Sequence, residues 1–146
     1  MAVSNIEKFD DLAGRILAEL YESFPVATVI STEDFMDSGR HWDDVLEMEV
    51  LDDGGTFFIS TATWLINAGY ISGSAFQNLF IEKAVLTAKG LEVLKALPES
   101  LNSGPSIGEQ LSDAAKAGST EVMRGLLSQA LSIGARLVSP FVGLSS

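Results

Sequence analysis

Two stretches constrain this chain more than any others: Trp64-Leu-Ile-Asn-Ala-Gly69-Tyr-Ile71 and Ala84-Val-Leu-Thr87-Ala-Lys-Gly90-Leu-Glu-Val-Leu94. In the first, a helix closes on Gly69, which suits the left-handed position after a helix end, and Tyr70 falls back on Leu65. A strand then starts at Tyr70-Ile71, a turn follows at Ser72-Gly73-Ser74, and a second strand returns over residues 79–86. Thr87 caps the next helix, with Leu86 and Leu91 placed as a hydrophobic staple, and Pro98 ends it. Helix, strand, turn, strand and capped helix together leave few ways to fold.

The flanking segments extend the pattern. Ser4-Asn-Ile-Glu7 is a capping box. Behind it Ile6, Phe9, Leu12, Ala13, Ile16, Leu17 and Leu20 recur at helical spacing until Pro25. Residues 25–30 are short, apolar and β-branched, as a small strand requires. Ser31 opens a short helix that ends near Gly39. Val45, Met48 and Leu51 then lie three apart among acids, which predicts a short acidic helix before Gly54-Gly55. Thr56 is placed to cap the next helix, which runs to Ala68. Beyond a linker at 99–105, Ser106 and Glu109 form a second capping box, and Gly118 closes that helix. Ser119 caps a longer helix, expected to run to about Val138, before a tail at 139–146.

The order helix, strand, helix, helix, strand, wing, strand, helix resembles the winged helix-turn-helix superfamily, broadly in the style of MarR- or PadR-like regulators, over residues 5–98. The expected fold class is therefore α+β, a winged helix with a short β-wing and a C-terminal helical pair at 106–138. The resemblance implies that the helix ending at Ala68 would enter a DNA major groove and the wing would touch the backbone or minor groove.

Charge opposes that expectation. The chain carries a net charge of −11. All of it falls in residues 1–53, where fourteen acids face only Lys8, Arg15 and Arg40; the remainder balances. Non-specific DNA binding depends on Lys and Arg displacing counterions, so such a surface is repelled by a duplex. The would-be recognition helix presents Ser60, Thr61, Thr63 and Asn67 beside Phe57 and Trp64, with no Lys, Arg or Gln. Guanine and adenine are read mainly by Arg, Lys, Asn and Gln, which leaves Asn67 as the one conventional reader. Asn67 stands at the wrong end of the helix for that task. Aromatics among small hydroxyls suit a protein interface instead.

The residues order three functions. The first is a non-enzymatic interaction or assembly module that binds a protein partner through Phe57, Ser60, Thr61, Trp64 and Asn67. The second is a dimeric transcriptional regulator touching DNA through Ser60, Thr61, Thr63, Ser74, Gln77, Asn78 and Lys83. The third is an acidic inhibitor whose carboxylates over 34–53 imitate DNA. A stripe of Val122, Met123, Leu126, Ala130, Ile133 and Leu137, widened by Leu127 and Leu131, predicts self-association, a dimer first. The single histidine, in His41-Trp-Asp43-Asp44, has no second His and no Cys to build a metal or catalytic site with. No nucleotide-binding or nucleophile motif is present, so neither enzymatic activity nor a cofactor is expected. No apolar run reaches membrane-spanning length and no leader is legible at the N-terminus, so the expected location is cytoplasmic.

Overall fold

The computed structural model describes residues 4–37, 39–98 and 103–145, the last eight by backbone alone. The fold is α+β. In chain order it comprises α1 (Asn5–Ser23), β1 (Thr28–Ser31), a single 3-10 turn (Thr32–Asp34), β2 (Arg40–Asp43), β3 (Met48–Leu51) and α2 (Asp53–Asn67). After these come β4 (Ile71–Phe76), β5 (Phe80–Leu86), α3 (Ala88–Lys95), α4 (Ile107–Ala117) and α5 (Thr120–Ser145). Strands β1, β5 and β4 form one antiparallel sheet in that order, while β2 and β3 form a separate hairpin. Helix, three-stranded sheet, hairpin wing and closing helix make a winged-helix arrangement with two helices appended.

Local chemistry sets most boundaries. The Ser4 hydroxyl accepts from the Glu7 amide at 3.1 Å and starts α1. Helix α2 is capped by Asp52, whose Oδ1 accepts from the Gly55 amide at 2.9 Å, not by Thr56. Its other end closes as expected: the Tyr70 amide donates to the Leu65 carbonyl and the Gly69 amide to that of Ile66, both at 3.0 Å. Thr87 accepts from the Gly90 amide at 3.0 Å and donates to the Gly69 carbonyl at 2.5 Å, tying the start of α3 to the end of α2. Gly90 is required there because a Cβ would run into the Tyr70 carbonyl oxygen.

Four expectations need correction. The short acidic helix expected before Gly54-Gly55 is absent: residues 40–51 form the β2–β3 hairpin, with His41 opposite Val50 and Trp42 opposite Glu49. Asp43 Oδ1 accepts from the amides of Val45 and Leu46, both at 2.9 Å, capturing groups that a helix would have bonded internally. Glu47 then takes a left-handed φ of 53°. Likewise, the short helix expected after Ser31 is one 3-10 turn, so that turn and the hairpin fill the chain between β1 and α2.

The wing is also longer than expected. Residues 72–74 lie within β4, and the turn is at Gln77-Asn78, with φ of 50° and 57°. Opposite Gly73 the sheet is bulged: β5 carries an extra residue opposite both neighbours, and Lys83 takes a φ of 56°. Finally, α5 continues through Pro140 to Ser145, where a tail was expected. The linker expected at 99–105 falls partly on 99–102, which lie outside the described residues, as does Ser146.

One core joins these elements. Leu12, Ile16, Leu17 and Leu20 of α1 meet Phe58 and Leu65 of α2, Ile81 of β5 and Leu94 of α3. Ile107 and Leu111 of α4, with Met123, Leu127 and Ala130 of α5, belong to the same cluster. Gly14 permits the close approach of α5, since a Cβ would stand 2.5 Å from Met123 Sδ.

Candidate functional site

The face that α2 leaves uncovered is not flat. Phe57, Ser60, Thr61 and Trp64 form one wall and the floor of an open groove of about 400 Å³, and Asn5, Ile6 and Phe9 of α1 form the other wall. Helical periodicity explains the assembly. Residues 57, 60, 61 and 64 share one face of α2, as residues 5, 6 and 9 share one face of α1. Beside this face Phe58 and Leu65 of α2 are buried, and the α1 stripe that begins with Ile6 and Phe9 continues into the buried Leu12 and Ile16.

Trp64 is held, not loose. Its ring meets Phe9 edge-on at 5.1 Å between centroids and stacks on Tyr70 at 6.2 Å, yet 45% of the residue stays exposed. Tyr70 is fixed in turn: its hydroxyl donates to the Leu131 carbonyl at 3.4 Å, and Lys89 Nζ sits 4.4 Å from its ring centroid. Lys89 is itself anchored to the Ala68 carbonyl at 2.9 Å. A column from α1 through α2 and Tyr70, just before β4, to α5 therefore holds a Trp64 that stays part-exposed to solvent. Burial raises the Tyr70 phenol above its ordinary pKa. Asp10, next to Phe9, is raised by burial, with Arg124 opposing and Glu7 adding to the shift.

The residues read as a partner face divide accordingly. Phe57, Ser60, Thr61 and Trp64 come together in the groove, with Thr61 buried as its floor. Asn67 lies beyond it, exposed at the last position of α2. The residues named for DNA contact are spread over α2, the wing and the β5 bulge. Ser60 is exposed and Thr63 half-buried on α2, Ser74 is exposed on β4, Gln77 and Asn78 form the wing tip, and Lys83 occupies the bulge. His41 is exposed on β2, and among the described residues no group of three or more His, Asp or Glu side chains is arranged to hold a metal.

The C-terminal stripe is largely committed within the chain. Met123, Leu126 and Ala130 are buried and Ile133 is partly buried against the same core, while Val122 (51% exposed) and Leu137 face outward. Sequence reasoning missed Ile6 and Phe9 as a groove wall. Ile6 carries the signal: it stands in the first turn of an apolar stripe whose later members are buried, but is itself 70% exposed.

No protein-family model, no curated protein and no solved structure gives a significant match to the chain. Among the described residues, no helix is long and apolar enough to cross a membrane.

Proposed function

We propose that this chain is a non-enzymatic winged-helix module that binds a protein partner in the α1–α2 groove. The observation that carries this reading is the held but half-exposed Trp64 in a groove lined mainly by Ile6, Phe9 and Phe57. A rigid aromatic at the edge of an apolar groove loses little conformational freedom on binding, and such residues dominate interface energetics. The occupant best suited to the groove is an apolar segment, such as one face of an amphipathic helix. DNA is a poorer occupant, because α2 has no Lys or Arg and the first third of the chain is acidic.

Self-association through α5 loses most of its support once Met123, Leu126 and Ala130 are assigned to the chain's own core. The test is affinity capture with the full chain and with Trp64→Ala as baits. A protein retained by the first, lost by the second and shown to bind the purified chain directly supports the reading. Equal retention by both baits, with the circular dichroism spectrum unchanged, overturns it.

A further inference from the structure

The β2–β3 hairpin is a second interaction element. Its root is rigid. The Asp52 amide donates to the Gly39 carbonyl at 2.9 Å, Arg40 pairs with Glu33, and Gly55 lies so close to Gly39 that a Cβ would strike its carbonyl oxygen. From that root the hairpin presents apolar residues to solvent: Val45 at the tip is 91% exposed and Trp42 is 58% exposed, and Leu46 and Met48 are exposed beside them. The tip is shaped, because Asp43 holds the amides of Val45 and Leu46. Hairpin tips are ordinarily polar, and four large apolar side chains there are not required by the turn. Around them stand Asp43, Asp44, Glu47 and Glu49, all outside the chain's ion pairs among the described residues.

We propose that this hairpin is a docking arm that inserts its apolar tip into a pocket rimmed by Lys or Arg on a partner protein. Charge selects that occupant. A second copy of this chain carries the same net charge of −11 and would repel the arm. An anionic membrane surface would repel it also. A basic rim would pair with the carboxylates as the pocket covers Val45, Leu46 and Trp42. The arm is a surface separate from the α1–α2 groove and stands without it.

The test uses the full chain carrying Trp64→Phe, which leaves Trp42 as the sole tryptophan. The probe is a synthetic amphipathic helical peptide of Lys and Leu, compared with versions carrying Glu for Lys or Ser for Leu. The expected result is a saturable blue shift of Trp42 emission with the Lys/Leu peptide alone. Adding Val45→Ser and Leu46→Ser weakens that binding at least tenfold with the melting temperature unchanged. Adding Asp44→Asn, Glu47→Gln and Glu49→Gln instead flattens its salt dependence. The proposal is overturned if the Lys/Leu peptide leaves Trp42 emission unmoved, if the Glu/Leu peptide shifts it as strongly, or if the Val45→Ser, Leu46→Ser variant shows the same shift at the same affinity.

Discussion

At the scale of single residues, Tyr70 connects the groove to the rest of the chain. Its carbonyl sits against Gly90, its ring against Trp64 and Gly134, and its hydroxyl on Leu131. Gly134→Ala would drive a methyl into that ring and should cost about 1–3 kcal/mol, read from urea unfolding. The raised pKa of Tyr70 fixes a sign. The folded chain holds the phenol proton longer than the unfolded chain, so this contribution to stability is intact below the ordinary phenol value of about 10 and is lost as pH rises through the folded value. Ultraviolet titration of Tyr21→Phe, where Tyr70 is the only phenol, should place the transition above that of free tyrosine; a transition at or below it would contradict the burial. Lys83 gives the opposite kind of test. A non-glycine at φ 56° is strained, and Lys83→Gly should stabilise the wing by about 0.5–1 kcal/mol.

At the scale of elements, the stripe on α5 separates packing from assembly. Met123→Ala should destabilise the chain by about 2–5 kcal/mol through the cavity it leaves, whereas Val122→Ser should change stability by less than about 0.5 kcal/mol. The same contrast explains what could be read in advance. Caps were legible because they are local: Ser4 with Glu7, Thr87 with Gly90, and Gly69 with Tyr70 all state their bonds within a few residues. The hairpin was not, because Val45, Met48 and Leu51 mimic a helical face by accident of a four-residue loop, while Asp43 redirects the backbone. The α5 stripe was legible as buried surface, but periodicity does not say against what. Gly14, which admits Met123, was the clue that the covering surface is α1. Half the groove was legible from α2 alone; its other wall depended on how α1 lies across it.

At the scale of the molecule, charge decides between partners. The acidic residues of the first third include those of the hairpin, whereas the neutral remainder builds the wing, α3 and the appended helices. The 3-10 turn and the acidic β2–β3 hairpin stand directly before α2 in the chain, and the turn and β3 pack against it. The proposed protein-binding role is tested most directly by titration of a labelled random-sequence duplex with the purified chain at low salt. Electrostatic attraction is strongest there, so any groove-reading winged helix should show association that weakens steeply as salt is added. The prediction is no binding at low salt. Salt-sensitive binding would contradict it and return α2 and the wing to the role of DNA readers.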